Sequence, residues 1–124
     1  MAAAPGIGID LIEIDRVESA LARRPGLAER LFSAAELEFA AARGRPARHL
    51  AARFAAKEAA LKALGLGGLR MREVEVAGGG DEPPRLVLHG SAAAAARREG
   101  IDLAVSLTHS RDHAAAIVSA HRPA

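Results

Sequence analysis

The chain of 124 residues has no cysteine, tryptophan or tyrosine, and aromatics make up only 2% of it. Without cysteine there are no disulfide staples, no thiolate catalysis and no cysteine-ligated zinc. Without Trp or Tyr, a nucleic-acid-binding module would lack its usual stacking platforms. No apolar run reaches the length of a membrane span, and no charged segment precedes a long apolar one as in a secretory leader. A cytoplasmic protein that contacts no membrane is expected. Lysine is scarce too, with Lys57 and Lys62 set against 15 arginines. An ammonium and a guanidinium are not interchangeable at a specific site, so this pair either marks one or clusters by chance.

What is abundant is alanine, 31 of the 124 residues. Beside Phe32, Phe39 and Phe54, the core of a single domain spanning 1–124 has to be built from Ala helix faces and Leu, Ile and Val strands. So thin a core favours burial against further copies of the chain. Seventeen basic residues are interleaved with 15 acidic ones, for a formal charge of +2. That is not the one-sided field of a nucleic-acid partner.

Gly6–Ile12 reads as a buried strand, and Asp15 as the cap of a helix running to Arg24. A short helix follows around Leu27–Leu31. Ser33-Ala34-Ala35-Glu36 is a capping box that opens a helix to about Ala42. A long helix from about Ala47 to Leu64 is closed by Gly65. Met71–Ala77 then alternates as a strand, with Met71, Val74 and Val76 inward, and Gly78–Asp81 turns it into Arg85–His89. Ser91 caps a helix over Ala92–Glu99, ended by Gly100. Leu103–His109 and Ala114–Ala120 form a last hairpin about Ser110-Arg111-Asp112. These hairpins predict an α+β fold, an antiparallel sheet packed against a long central helix and shorter ones. The strand faces at Leu103–Leu107 and Ala114–Val118 are expected to stay uncovered until other copies bury them.

Three features break these patterns. On the long helix Leu50, Phe54, Leu61 and Leu64 share a stripe, and Lys57 falls inside it. Glu58 and Arg53 flank the stripe, and Lys62 lies four residues after Glu58. One reading is an ordinary helix, in which a Glu58–Lys62 pair contributes about 0.2–0.5 kcal/mol and Lys57 reaches out to water. The other gathers Arg53, Lys57, Glu58 and Lys62 into an anion site with an embedded carboxylate. Asp10 interrupts an apolar strand and needs a partner, a metal or a proton. It is either a helix cap or ion pair, or it joins Glu58 as a pair of hard oxygen ligands suited to Mg²⁺. Ser106-Leu107-Thr108-His109 stands at a strand end, where small hydroxyls and His109 suit phosphate or ribose. His49, His89 and His121 read as surface or edge histidines. Hydrolase elbow, dinucleotide and P-loop signatures are all missing.

In order along nearly the whole chain, Gly6-Ile7-Gly8-Ile9-Asp10-Leu11 with Arg16, Phe32-Ser33-x-x-Glu36-Leu37, Leu50 to Ala59 with Lys62-Ala63-Leu64-Gly65, and Ser106-Leu107-Thr108-His109 before Ala114–Val118 resemble holo-acyl-carrier-protein synthases. These are the small bacterial 4′-phosphopantetheinyl transferases. The Arg53-Phe54-Ala55-x-Lys57-Glu58-Ala59-x-x-Lys62-Ala63 segment is the most specific of these. The resemblance implies Mg²⁺-dependent transfer of 4′-phosphopantetheine from coenzyme A to a serine of acyl carrier protein, releasing adenosine 3′,5′-bisphosphate in support of fatty acid biosynthesis. It implies Asp10 and Glu58 as metal ligands, Glu58 and Lys62 as catalytic groups, and Arg53, Lys57, Lys62 and His109 as coenzyme A contacts. Arg16, Arg23 and Arg24 would receive the acidic carrier protein. A homotrimer with sites between subunits is implied as well. The chain departs from the pattern at Gly65-Leu66-Gly67, where Gly-Thr-Gly is common. It departs again at Ser110, where some members carry an acidic residue, so no third protein ligand is implied. A nucleic-acid module and a trimer that has lost catalysis are the rival classes.

Overall fold

The computed structural model describes residues 6–66 and 71–123. In chain order it comprises β1 (Ile7–Glu13), α1 (Ile14–Arg23), α2 (Leu27–Leu31), α3 (Ala34–Ala41) and α4 (Pro46–Leu64). A 3-10 turn (Met71–Glu73) leads into β2 (Val74–Gly79), β3 (Glu82–Leu88), α5 (Gly90–Glu99), β4 (Asp102–His109) and β5 (His113–His121). One antiparallel sheet has the order β1-β5-β4, and β2-β3 is a separate hairpin. The α+β reading holds, with the long helix against the sheet.

Helix α4 forms because alanine is the best helix former and Pro46 pre-sets its first turn. Gly65 ends it in the left-handed region at φ 71°. Its small residues allow close packing: Ala51, Ala52, Ala55, Ala56, Ala59, Ala60 and Ala63 are all buried. Gly8 is the sheet's answer to that face, because a Cβ there would sit 1.9 Å from the Ala59 carbonyl oxygen. The Leu50–Phe54–Leu61–Leu64 stripe is therefore only part of the buried surface. Leu50 and Leu61 are buried, while Phe54 and Leu64 are partly covered. Met71, Val74 and Val76 point inward as expected, although Met71 lies on the 3-10 turn.

Two caps differ from the sequence reading. Glu13 occupies the N-cap of α1 without a side-chain bond, and Asp15 pairs instead with Arg45 at 3.6 Å. Ser91 lies inside α5, and the cap comes from outside the helix. The Glu73 carboxylate accepts from the Ala92 amide at 2.8 Å and from the Ser91 hydroxyl at 2.6 Å. The Ser33–Glu36 capping box is present as read.

The uncovered sheet face is only in part the expected one: Ile117, Ala104 and Ser106 are exposed, but the larger side chains of those segments turn inward. Ala114, Ala116 and Val118 are buried, and Leu103, Val105 and Leu107 pack against the same core. Strand alternation puts the other set outside: Ile7, Ile9 and Leu11 are about two-thirds exposed, and Ile117 is 41% exposed. Among the described residues no helix is long and apolar enough to cross a membrane.

Candidate functional site

The two lysines of α4 have opposite fates. Lys57 is fully buried, and all three of its N–H bonds are taken. It donates to Glu36 Oε1 at 2.8 Å, to the Met71 carbonyl at 3.1 Å and to the Val74 carbonyl. Glu36, also buried, accepts in addition from the amides of Ser33 and Val76, each at 2.9 Å. Burial pulls the Lys57 ammonium down from its ordinary value, and the Glu36 carboxylate pulls it back up. Lys57 is thus not a snorkelling side chain, and it has no N–H left over for the coenzyme A contact expected of it, because its donors tie α4 to α3 and to the start of β2. Lys62 is more than half exposed. It donates to the Ile9 carbonyl at 3.0 Å and to Asp10 Oδ1 at 3.4 Å. Its third N–H remains for a ligand.

Asp10 is held on the inner face of β1, in register with Ala116, because Gly8 lets this strand lie directly on α4. Lys62 is its one charged partner among the described residues. Glu58 is half-buried and makes no hydrogen bond or ion pair among them. The i,i+4 pair with Lys62 is not formed, because Lys62 turns to β1 instead. No group of three or more His, Asp or Glu that could hold a metal exists among the described residues. A metal here would rest on the two carboxylates alone.

Arg53 and His109 meet elsewhere. They line a cavity of about 230 Å³ together with Phe39, Arg43, His49, Gly79 and Gly80. Arg53 is buried and donates to the Gly78 carbonyl at 2.8 Å. The Phe39 ring lies between two guanidinium groups, Arg43 at 3.4 Å and Arg53 at 3.8 Å from its centroid. The Nε atoms of Arg53 and Arg48 are buried without a hydrogen-bond partner among the described residues. Desolvation, then Arg48, holds both His49 and His109 below the ordinary histidine value. Arg43 and Arg53 on its lining, with Arg48 close to both imidazoles, give this cavity a cationic wall.

The two groups lie on different flanks of α4. From Arg53 to Lys62 the helix turns about two and a half times, so the two side chains leave it on opposite sides. Asp10 and His109 both face inward but from β1 and β4, with β5 between them, about 10 Å apart in strand spacing alone. Arg16, Arg23 and Arg24 are exposed on or just after α1, and Arg23 also donates to the Ser19 carbonyl at 3.3 Å. Sequence reasoning missed Glu36 as the partner of Lys57, and His49, Phe39, Arg43 and Arg48 around the cavity. His49 had an available signal, since it stands four residues before Arg53 on one helix flank.

Residues 6–118 match the family model described as the 4′-phosphopantetheinyl transferase superfamily. The holo-[acyl-carrier-protein] synthase of Moorella thermoacetica is 45% identical over 113 residues, covering 89% of this chain and 88% of that protein. The synthase of Frankia casuarinae is 48% identical over 117 residues, covering 93% and 95%. The solved synthase–coenzyme A complex from Chronobacterium ammoniagenes superposes with a TM-score of 0.85 at 30% identity, covering 98% of this chain and all of that one. On sequence and on fold alike, the chain belongs to the holo-[acyl-carrier-protein] synthases of the 4′-phosphopantetheinyl transferase superfamily.

Proposed function

We propose that the chain carries its family's reaction on two half-sites, with the chemistry at Asp10, Glu58 and Lys62 and the nucleotide end of coenzyme A at Arg53 and His109. The single observation that carries this is the contrast between the lysines: Lys57 has no donor left, and Lys62 pairs with Asp10 of β1 and keeps one.

The transfer moves 4′-phosphopantetheine from coenzyme A to a serine of apo acyl carrier protein. The serine oxygen bonds to the phosphorus that bears pantetheine. The phosphoanhydride bond to adenosine 3′,5′-bisphosphate breaks, and that product leaves with the electron pair. The serine proton passes to a Glu58 oxygen. Lys62 places its free N–H against the charge growing on the departing phosphate, where a fixed cation counts most. Arg53 and His109, on the wall of the cavity, hold the far phosphate and orient the nucleotide. Asp10 and Glu58 supply hard oxygens with open lone pairs, which fits Mg²⁺, a metal that keeps waters and takes one or two carboxylates. Mg²⁺ bound there would polarise the phosphate oxygens under attack. The product feeds fatty acid biosynthesis.

The exposed Ile7, Ile9, Leu11 and Ile117 face supports assembly of copies, in threefold form as in the family resemblance. The placement of the two half-sites on opposite flanks of α4 supports a working site completed by a neighbour. Arg16, Arg23 and Arg24 supply the cationic face for an acidic carrier protein.

The test is to incubate the chain with apo acyl carrier protein and coenzyme A, with and without Mg²⁺, and to follow the carrier by mass. The carrier should gain one phosphopantetheine with wild type and Mg²⁺, and none with chelator or with Glu58→Gln. Undiminished modification by Glu58→Gln would overturn the site. No modification under any condition would favour a trimer without catalysis.

A further inference from the structure

His49 is the fourth residue of α4, and its ring is built into a wall. It meets Phe39 edge-on with centroids 5.8 Å apart, and His109 edge-on at 5.6 Å. Phe39 is fixed in turn by the guanidinium groups of Arg43 and Arg53 on its ring. The sequence Arg53, Phe39, His49, His109 is therefore one continuous surface lining a single cavity. His109 stands at the exposed end of β4 and forms no ion pair or side-chain hydrogen bond with another described residue. Beyond its own main chain, the side-chain ring packed against it is that of His49.

We propose that His49 is a positioning residue, holding the His109 imidazole edge-on in the cavity wall and coupling it to the Arg53–Phe39 stack. This rests on the reading that Arg53 and His109 take the phosphate end of coenzyme A. The contact suits a neutral ring. Two imidazolium ions at this spacing would repel, and Arg48, Arg43 and Arg53 around His49 and Arg48 and Arg45 near His109 already disfavour protonation of either. Edge-to-face pairs of this kind are worth on the order of a severalfold change in an equilibrium. What His49 supplies is therefore the ring itself. Phenylalanine, which keeps the ring and drops the nitrogens, should substitute for it and alanine should not.

The experiment reads two things on His49→Ala and His49→Phe. The first is the titration of His109 in the ligand-free protein, followed by its imidazole NMR signals. The second is the KM for coenzyme A beside kcat and the KM for carrier protein. In His49→Ala the His109 ring loses its cover, so its titration should move up toward the ordinary value of about 6.5. The coenzyme A KM should rise roughly three- to tenfold, while the kcat and the carrier KM change less than about twofold by the same reasoning. His49→Phe should restore most of the affinity, and His49→Ala should add nothing in a His109→Ala background. An unchanged His109 titration in His49→Ala overturns the proposal whatever the kinetics. Equal loss in His49→Phe and His49→Ala also overturns it, since His49 would then act through its own nitrogens. A shifted titration with a coenzyme A KM that even His109→Ala leaves unmoved upholds the positioning role and refutes instead the assignment of His109 to coenzyme A.

Discussion

Replacing Lys57 by methionine removes an ammonium and leaves a chain of similar length. The cost is set by what stays behind. Glu36 keeps its two backbone donors but loses its counter-charge in a site with no solvent, and the Met71 and Val74 carbonyls lose a donor. Removing one partner of a buried pair costs about 3–5 kcal/mol. For a domain of this size each kcal/mol moves the melting point by roughly 3–5 °C, so Lys57→Met should melt about 10–20 °C lower. Protein concentration has to be fixed, because any assembly of copies would raise the apparent stability. The double variant Lys57→Met with Glu36→Gln removes the stranded charge and should recover part of the loss. Lys62→Met is the control: it breaks a largely exposed pair worth about 0–1 kcal/mol and should melt within a few degrees of wild type. A Lys57→Met chain that melts like wild type but binds coenzyme A poorly would refute the structural role.

Steady-state kinetics should separate the two half-sites. Lys62→Ala should lower kcat by about a hundredfold or more, since leaving-group charge grows only in the transition state. Arg53→Ala should act mainly on the coenzyme A KM, by about tenfold or more for a charge-assisted contact. The opposite assignment would sink this division. Changing Arg16 and Arg23 to Glu should raise the KM for carrier protein and flatten its salt dependence, with the coenzyme A KM unmoved. Equal effects on both substrates would count against a carrier surface. Stability should also carry an acid-side signature at Glu75. Hydrogen bonds from Ser33 and then His89 hold its carboxyl below the ordinary 4.5. Its contribution is therefore complete above about pH 4.5 and drains away as pH falls through the lowered folded value. Denaturant titrations below pH 4.5 should show wild type losing stability faster than Glu75→Gln, and parallel losses would exclude the linkage.

The sequence made the order of elements legible because its punctuation is strong. The Ser33–Glu36 box, Gly65 and Gly100 each end or open a helix by local chemistry, and locality is what a single sequence displays. Asp10 was legible as an anomaly for the same reason. Long-range partners were not. Glu36 had a complete local explanation as a capping residue, so nothing pointed across the fold to Lys57. Glu73 caps α5 from the 3-10 turn, a role no spacing rule contains. The buried face of α4 was misjudged because alanine carries little weight in an apolar stripe, although its small size is what lets β1 approach at Gly8. The flanks of α4 also looked like one cation cluster on paper. The half-turn left over between Arg53 and Lys62 parts those two, and the sheet order, with β5 between β1 and β4, parts Asp10 from His109.

That separation makes the central claim, a working site completed by a second copy, directly measurable. Asp10→Ala and His109→Ala chains are each assayed alone for transfer at coenzyme A well below KM, then mixed in equal amounts under conditions of proven subunit exchange. In a closed ring each site draws one half from each of two neighbours, so random mixing leaves about a quarter of the sites with both halves intact. The mixture should therefore recover about a quarter of wild-type transfer, well above the mean of the two variants. Activity that stays at that mean despite exchange, or full activity from a wild-type monomer in sedimentation, would contradict it.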